Sequence, residues 1–367
     1  MLNKKLILFM PSIDGGGVEK NLFIISNYLI QKIPNIIIIS FDNKFNQKFN
    51  NKIKFVYFTK KKLKINKYFK YLACLILLIK EMIFQRAVVL SFQANIYSII
   101  LCKIFQTPII SRSNSSPSGW GGGFFKKLIF KNFLKLSNKI IVNSKDFKRE
   151  IDRKFNVNST LIYNPLDIKN ILEKSKKKVS TSGFNKAKLK IINVARFTDQ
   201  KDHLTLLKSF KLVSDQIDCK LLLIGYGKNI SKIKKFIYDN KLKNKIFIKQ
   251  VLSDPYNYIS KADIFILSSI FEGLPNVLLE AMTLKKVIFS TNCPTGPSEI
   301  LGNGKYGTLF KIKDHISLSR LILKYYKNKN FFKKKLKPAF KSLDRFDKKI
   351  NCKKYYDVIL SEFRKIN

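Results

Sequence analysis

Short apolar runs alternate with amphipathic segments along the whole chain, and most of the runs end in a polar or glycine-bearing loop. The first run, KLILFM, precedes the loop PSIDGGG and the segment VEKNLFIISNYLI, whose apolar residues recur at helical spacing. Further runs predict strands at 36–40, 53–58, 87–92, 108–111 and 139–143. Because strands that alternate with helices form parallel sheets, the pattern predicts an α/β fold with a doubly wound sheet.

The second half of the chain repeats this pattern. Each of six apolar runs precedes a turn or a helix: KLKIINVARF, CKLLLIGYG, NKIFIKQV, ADIFILSS, KVIFSTN and GTLFKI. We predict Rossmann-like domains over 1–170 and 189–346, a polar linker over 171–188, and a helix over 347–367 that could pack back on the first domain. Open α/β sheets bind ligands at the carboxyl ends of their strands, so two tandem domains predict a cleft.

The composition limits the class of protein. With 367 residues and 46% hydrophobic content, the chain can bury a large core. Its longest apolar stretch, YLACLILLI, is far shorter than the ~20 residues that cross a bilayer, so no membrane-spanning helix is expected. The N-terminus lacks the features of a signal peptide, so no signal peptide is expected either. Five scattered cysteines without a CxxC pair are typical of a reducing compartment.

The formal charge of +47 fits three hypotheses: a solvated lysine-rich surface, a cationic face for anionic lipid, or nucleic-acid binding. Only eight of the 71 basic residues are arginines, although nucleic-acid recognition favours arginine. The segment 60–86 is basic and then apolar, which suits an anionic leaflet. Its alternative interpretation is a buried helix with a solvated lead-in.

The stretch FEGLPNVLLEAM (271–282) combines a helix start with two glutamates. A strand ends near Ser268, and Pro275 suits the first position of a helix whose N–H groups can hold an anion such as a diphosphate. Asn276 and Glu280 form a polar stripe opposite an apolar face. Because a phosphate repels carboxylates, Glu272 and Glu280 should accept hydrogen bonds from hydroxyls on either side of it. This arrangement fits a nucleotide-sugar, with the ribose near Glu280 and the hexose near Glu272.

The loop in NVARFTDQKDH supplies cations. Arg196 and Lys201 follow the first strand of the second half, and an arginine fork with a lysine point charge suits two phosphates. Asp202 is a candidate helix cap. His203 is expected to be a packing residue.

These stretches resemble the retaining glycosyltransferases of family 4, the glycosyl transferases group 1, which have the two-domain GT-B fold. The similarity runs from GGGVEK (15–20) through IVNSKDF, LIYNPLD, NVARFTDQKDH, LIGYG, TNCPTGPSEIL and GKYGTLF. Its most specific part is the E-x7-E of Glu272 and Glu280, preceded by the R-x4-K of Arg196 and Lys201. The resemblance implies two Rossmann-like domains that face each other across a cleft.

The resemblance also implies roles for individual residues. It gives Glu272, Arg196 and Lys201 catalytic roles, and it implies a donor site formed by Gly16, Gly17, Arg196, Lys201, Glu272, Gly273, Leu274, Asn276, Val277 and Glu280. By analogy, the acceptor hydroxyl attacks on the face that the nucleoside diphosphate leaves, a phosphate oxygen takes the proton, and the anomeric configuration is retained. Neither a metal nor a cofactor is expected, in agreement with the absence of a DxD motif.

The chain departs from the family in several places. Many members carry a histidine in the first domain, whereas His203 and His315 both lie in the second half. The loop ISRSNSSPSGW supplies Arg112 and Asn114 as acceptor-side candidates instead. Near the base pocket, Tyr226 stands where a small or acidic residue is common, and Gln250 stands where the family usually has glycine.

The motifs look most like those of enzymes that move a hexose or N-acetylhexosamine from UDP to lipid-linked oligosaccharides in bacterial surface-glycan assembly. We therefore expect a cytoplasmic enzyme on the inner face of the membrane, in contact with anionic lipid and without a nucleic-acid partner. The alternatives are a GDP-sugar transferase, a nucleotide-sugar epimerase of the same fold, or a non-catalytic basic protein that binds nucleic acid.

Overall fold

The computed structural model describes residues 4–13, 15–60, 65–83, 85–114, 124–179, 183–250 and 254–366, with only the backbone for 124–127. The chain divides into two compact units, Met1–Pro165 with Phe346–Asn367, and Leu166–Arg345. Each unit contains one parallel sheet flanked by helices. The predicted doubly wound α/β fold is therefore confirmed.

The strands fall where the apolar runs predict them. They are β1 Lys5–Phe9, β2 Ile36–Asp42, β3 Lys54–Thr59, β4 Ala87–Ser91, β5 Ile109–Arg112, β6 Lys139–Val142, β7 Thr160–Leu161, β8 Leu189–Val194, β9 Cys219–Ile224, β10 Ile246–Lys249, β11 Ile264–Leu267, β12 Val287–Thr291 and β13 Thr308–Phe310. The helices are α1 Gly17–Leu29, α2 Lys67–Ile83, α3 Asn95–Ile104, α4 Phe124–Lys135, α5 Lys145–Phe155, α6 Ile168–Ser175, α7 His203–Ser214, α8 Ile230–Asp239, α9 Tyr256–Lys261, α10 Asn276–Thr283, α11 Pro297–Ile300, α12 His315–Lys327, α13 Lys329–Lys333, α14 Leu336–Lys341 and α15 Lys348–Phe363.

The sheet of the first unit has the order β3-β2-β1-β4-β5-β6-β7. Alternate side chains of each strand point to opposite faces, so Leu6 and Leu8 of β1 pack with α1 and α15, whereas Ile7 and Phe9 pack with α2 to α5. Both faces are covered. This explains why the strands are continuous apolar runs rather than alternating ones.

The boundary between the units differs from the predicted linker over 171–188. Helix α6 lies partly within that segment and packs on α9 and α10 of the second unit, because Leu166 and Ile171 are buried there. The final helix α15 belongs to the first unit, where Cys352, Tyr355 and Ile359 join the core beside α1.

The sheet of the second unit has the order β10-β9-β8-β11-β12-β13. Helices α7, α8 and α12 cover one face, through a core that includes Leu206, Ile233 and Ile322. Helix α10 packs on β12, α6 and α14. Across the described parts of both units, no helix combines the length and apolar character that crossing a bilayer requires.

Candidate active site

Strands β8 and β11 are neighbours at the point where the strand order of the second sheet reverses. Their ladder is short and pairs Ile264 with Ile191 and Phe265 with Ile192. Beyond it, the buried Asn193 side chain donates from Nδ2 to the carbonyl of Ile266 at 2.8 Å. Crevices at the carboxyl ends of such diverging strands are the usual ligand sites of doubly wound sheets. The loops that leave β8 and β11 carry Arg196, Lys201 and Glu272.

These two loops are joined by hydrogen bonds. Ile270 N donates to Gln200 O at 2.8 Å, and Gln200 Nε2 donates to Phe271 O at 2.9 Å. Ser268 Oγ donates to Lys201 O at 3.0 Å. The loop that carries Arg196 and Lys201 and the loop that carries Glu272 are therefore in direct contact, joined by three hydrogen bonds.

The side chains of Lys201 and Glu272 form an ion pair. Lys201 Nζ lies 2.5 Å from Glu272 Oε1, and the side chains are 14% and 7% exposed. Ser269 Oγ also donates to Glu272 Oε1, at 2.5 Å. A lysine ammonium has three N–H donors and an ionised carboxylate has two acceptor oxygens, so this pairing leaves donors on Lys201 and Oε2 on Glu272 for other partners.

The end of β12 and the loop after it also hold the Glu272 loop in position. Thr291 Oγ1 donates to Ser269 O at 2.6 Å, and Thr295 Oγ1 donates to Glu272 O. Gly296 has a φ of +78°, and a Cβ there would lie 1.8 Å from Gly273 O. Only glycine allows this approach, which explains the TGP sequence at that position.

The loop after β9 packs against the segment that carries Arg196. Phe197 N donates to Tyr226 O at 2.7 Å, and a Cβ on Gly225 would meet Ala195 O at 1.9 Å. The Arg196 side chain is exposed and pairs with no described residue. It is therefore an available cation on the same loop as Lys201. Tyr226 has intermediate exposure, and Gln250 is exposed immediately after β10.

Helix α10 begins at Asn276, with Pro275 as the N-cap and no side-chain cap on its first turn. Gly273, Leu274, Asn276 and Val277 thus lie in the last part of the loop and the first turn of α10, where the sequence predicts a diphosphate. Leu274 is buried, whereas Asn276 and Val277 are of intermediate exposure.

The position of Glu280 differs from the predicted polar stripe. Its side chain is 4% exposed, because the opposite side of α10 is also covered by protein. Its carboxylate acts on Tyr256: burial is the main cause that raises the pKa of this phenol, and the nearby charges of Glu280 and Asp254 add to it. Glu272 and Glu280 consequently have different neighbours.

Asp202 caps α7, as predicted, because its carboxylate accepts from Thr205 N at 3.3 Å and from Thr205 Oγ1 at 2.6 Å. His203 follows it and is buried against Phe197, with the two rings 5.0 Å apart. Burial, with a smaller contribution from the Lys201 charge, lowers the pKa of His203 from 6.5 to about 4. Neither ring nitrogen has a hydrogen-bond partner among the described residues. His203 is therefore neutral at pH 7 and is a packing residue.

Gly16 and Gly17 lie in the first unit, where Gly16 is the N-cap of α1 and Gly17 is its first residue. They follow β1, which adjoins β4 at the strand-order reversal of that sheet. Ser12 N donates to Gln93 Oε1 at 3.0 Å, and Gln93 Nε2 donates to Ser12 O at 2.9 Å. The loop with Gly16 and Gly17 thus follows β1 in the first sheet, as the loop with Arg196 and Lys201 follows β8 in the second sheet.

Arg112, an acceptor-side candidate, is almost completely buried at 1% exposure. Nε donates to Tyr355 Oη at 2.7 Å and Nη2 donates to Asn164 Oδ1 at 2.8 Å, so the guanidinium joins α15 and the segment after β7 to the end of β5. This structural role differs from the expected acceptor contact, since a buried guanidinium does not present its donors to a ligand. Asn114 is partly exposed, and its Nδ2 donates to Phe92 O at 2.8 Å.

Four polar residues that hold Glu272 in place escaped the sequence analysis: Gln200, Ser269, Thr291 and Thr295. Ser269 is the second residue after β11 and Thr291 is the last residue of β12, and this position at a strand end was the available signal. Among the described residues, no three His, Cys, Asp or Glu side chains cluster as candidate metal ligands.

Comparison with known proteins confirms the resemblance to the group 1 enzymes. Residues 174–342 match the family profile described as Glycosyl transferases group 1. The chain is 30% identical over 240 residues to the uncharacterized glycosyltransferase MJ1059 of Methanocaldococcus jannaschii, which covers 58% of this chain and 59% of that protein.

A second relative has a stated reaction. The chain is 25% identical over 231 residues to the N-acetylgalactosamine-N,N'-diacetylbacillosaminyl-diphospho-undecaprenol 4-alpha-N-acetylgalactosaminyltransferase of Campylobacter jejuni, which covers 60% of this chain and 61% of the relative. The chain thus aligns with about three fifths of the length of these two curated relatives.

The fold matches solved structures over nearly the full chain. The structure of Alr3699/HepE of Anabaena in complex with UDP-glucose superposes with a TM-score of 0.79, covering 97% of this chain and 99% of the other. At 17% identity, this similarity shows a shared GT-B fold.

Proposed function

Because residues 174–342 match the glycosyl transferases group 1 family, we propose that the chain is a retaining, metal-independent glycosyltransferase. The donor is a nucleotide-sugar, most simply a UDP-linked hexose or N-acetylhexosamine. The acceptor is a lipid-linked glycan in the assembly of a bacterial surface polysaccharide. The enzyme works as a peripheral protein on the cytoplasmic face of the membrane.

The observation that carries this proposal is the joining of the Lys201 loop to the Glu272 loop at the strand-order reversal. The Lys201 loop carries an ammonium that keeps free donors and an exposed guanidinium, and the Glu272 loop carries an oriented carboxylate and leads into the first turn of α10. Cations and helix N–H groups favour a diphosphate, and a carboxylate oxygen favours a sugar hydroxyl. A nucleotide-sugar carries both groups next to each other.

The proposed chemistry follows from this arrangement. The acceptor hydroxyl forms a bond to the anomeric carbon as the bond to the diphosphate breaks on the same face, and the hydroxyl proton passes to a phosphate oxygen. Arg196 and Lys201 stabilise the negative charge that develops on the leaving diphosphate. Glu272 holds the hexose, and Glu280 the ribose.

The choice of donor and acceptor rests on the relatives. The HepE structure contains UDP-glucose, and the Campylobacter relative is named for transfer to a diphospho-undecaprenol-linked sugar. These names support a UDP-sugar and a lipid-linked acceptor for this chain. A GDP-sugar donor or an epimerase reaction on the same fold is distinguished by nucleotide preference and by product analysis.

The proposal is tested by isothermal titration of the purified protein with UDP and with GDP, in about 0.15 M salt to screen weak attraction to phosphate. EDTA is present in every titration. Selective binding of UDP supports the metal-independent UDP-sugar enzyme, and turnover with a panel of UDP-sugars then identifies the hexose. Selective binding of GDP contradicts the choice of donor.

Binding of neither nucleotide contradicts the transferase proposal as a whole. A non-catalytic basic protein then becomes the better hypothesis, and it predicts nucleic-acid affinity that falls steeply with salt. Lys208→Ala is a suitable control for loss of a cation, because Lys208 is exposed on α7 and does not contact the two loops.

A further inference from the structure

Helix α2 of the first unit is apolar on two opposite sides. Ala73, Cys74, Leu78 and Met82 lie in the core beneath the sheet. On the outer side, Leu72, Ile76 and Ile83 are 57–61% exposed, and Phe69 is 45% exposed. The spacing of 69, 72, 76 and 83 places all four on one stripe of the helix. We refer to these four side chains as the α2 face.

The exposed apolar surface extends beyond α2. Helix α3 packs on α2 and α4 packs on α3, so their outer sides adjoin. The exposed apolar residues on these two helices, or directly after them, are Tyr97, Ile104, Phe105, Leu128, Ile129 and Leu136. Single exposed apolar side chains need no explanation, but a contiguous group on adjacent helices is typical of an interaction surface.

The charge around this surface is mostly positive. Glu81 is the single acidic residue in the sequence between Asp42 and Asp146. Its carboxylate is only 12% exposed and is held by Lys5 at 3.1 Å and Lys54 at 3.0 Å. Among the described residues of α2 and α3, the exposed charged side chains are the lysines Lys67, Lys80 and Lys103. Asp42, which is partly exposed at the end of β2, acts electrostatically on Cys74 on the buried side of α2.

We propose that the α2 face docks on an anionic lipid bilayer. Its apolar side chains enter the boundary between headgroups and acyl chains, and Lys67, Lys80 and Lys103 meet lipid phosphates. The inference rests on the proposed function in one respect: an enzyme whose acceptor is anchored in lipid has to work at the lipid surface.

The charges favour lipid over the other occupants of such a surface. A second copy of the chain would bring the same lysines from both subunits together without acidic partners, at a cost in repulsion. Nucleic acid would place its phosphates against Leu72, Ile76 and Ile83, which carry no charge, and Phe69 is the one ring of the α2 face. An anionic bilayer supplies both an apolar layer and a negative surface.

The test is co-sedimentation of the full chain with phosphatidylcholine vesicles that contain about 30% phosphatidylglycerol, and with vesicles of phosphatidylcholine alone, near 0.15 M salt. The variant Leu72→Gln/Ile76→Gln/Ile83→Gln should partition at least about tenfold more weakly, equal to ~1.4 kcal/mol. Its matched control is Tyr238→Gln/Ile316→Gln/Ile350→Gln, three exposed apolar residues elsewhere, which should bind like the natural chain.

A second pair of variants tests the lysines. Lys67→Gln/Lys80→Gln/Lys103→Gln should lose about a hundredfold on anionic vesicles at ~1 kcal/mol per lysine. Lys208→Gln/Lys234→Gln/Lys329→Gln carries the same net charge on exposed residues of the second unit and should lose much less. Equal losses for the two triples would show adsorption by overall charge and overturn the α2 face as the docking site.

Two further results would also overturn the proposal: unchanged vesicle binding by the Leu72/Ile76/Ile83 variant, or light scattering that shows a dimer which the same variant converts to a monomer. UDP titration of each variant separates this proposal from the function. A variant that loses vesicle binding but keeps its UDP affinity supports the α2 face as the docking site. A natural chain that binds vesicles but not UDP contradicts the proposed transferase function and leaves the docking proposal intact.

Discussion

Arg112 and Lys201 are both cationic side chains beside the carboxyl end of a parallel strand, yet the two units use them differently. Arg112 ends β5, is 1% exposed, and donates to the neutral oxygens of Tyr355 and Asn164. Lys201 is 14% exposed and pairs with the Glu272 carboxylate. A position at the end of a strand is thus insufficient to indicate a ligand site, and the decisive difference is whether donors remain accessible.

The physical reason lies in what each group can do when it is buried. A guanidinium stays charged at any ordinary pH, so a fold that buries it has to supply acceptors; Arg112 has two, and its Nη1 has none among the described residues. An ammonium at the rim of a crevice keeps donors for a ligand, and its carboxylate partner holds it in place. The predictions below test this contrast, from the largest expected effect to the smallest.

Arg112→Ala should lower the free energy of unfolding by about 3 to 5 kcal/mol, because it leaves a cavity and removes the donors that join α15 to β5. Denaturant unfolding measures the loss, and Arg112→Met, which preserves most of the volume, should lose less. UDP affinity should not change. A variant that is as stable as the natural chain but fails to transfer sugar would restore the acceptor role.

Arg196→Ala should cost about 2 to 4 kcal/mol in kcat/KM with the preferred nucleotide-sugar, the scale of one preorganised charge-stabilising group. Unfolding should be unaffected, because the side chain is exposed. Steady-state kinetics measure the loss, and Arg196→Lys should recover part of it. A loss confined to stability would assign Arg196 to the structural class of Arg112.

His203→Leu should make the protein less sensitive to acid. Burial lowers the pKa of His203 from 6.5 to about 4, so between these values the unfolded chain binds a proton that the native chain does not. Stability therefore falls as pH decreases through this window, by about 2 kcal/mol at pH 5. Denaturant unfolding at pH 7 and at pH 5 measures the effect. Between these two pH values, the free energy of unfolding should fall by about 2 kcal/mol less in the variant than in the natural chain.

An equal decrease in both proteins would show that His203 is protonated in the native state. The comparison with Arg112 would then change, since both groups would be buried cations.

Lys201→Ala and Glu272→Ala should show a coupling of about 1 to 2 kcal/mol in a double-mutant cycle of unfolding free energies, because the pair is largely shielded from water. The exposed pair of Lys211 and Asp215, 3.4 Å apart, is the control and should couple by about 0.5 kcal/mol or less. Equal coupling in the two cycles would mean that Lys201 is solvated and that Glu272 does not orient it.

Glu280→Gln should weaken UDP binding about tenfold, or ~1.4 kcal/mol, because an amide is a weaker acceptor for ribose hydroxyls than a carboxylate. The shape is preserved, so unfolding of this buried position should change little. Titration with UDP and with inorganic diphosphate separates the contacts, since only UDP carries a ribose. Equal weakening for both ligands would place Glu280 near the phosphates instead.

Much of the fold could be predicted from local patterns. Every strand that was predicted from an apolar run is present, because a strand buried on both faces of a parallel sheet has to be continuously apolar. The strand β7, Thr160–Leu161, was missed, since two residues carry no periodicity. Helix α6 within the predicted linker was missed because the segment is mostly polar and its few apolar residues are buried by tertiary contacts.

The sequence by itself determined the order of the elements, the two glutamates at a spacing of eight, and the cations after β8, since these depend on residue type and spacing along the chain. Tertiary structure decided the contact between the Lys201 and Glu272 loops, the burial of Glu280 and Arg112, and the packing of α15 on the first unit. The apolar stripe of α2 was visible in the sequence, but its exposure was not. Burial depends on what other segments cover, and those segments are distant in the chain.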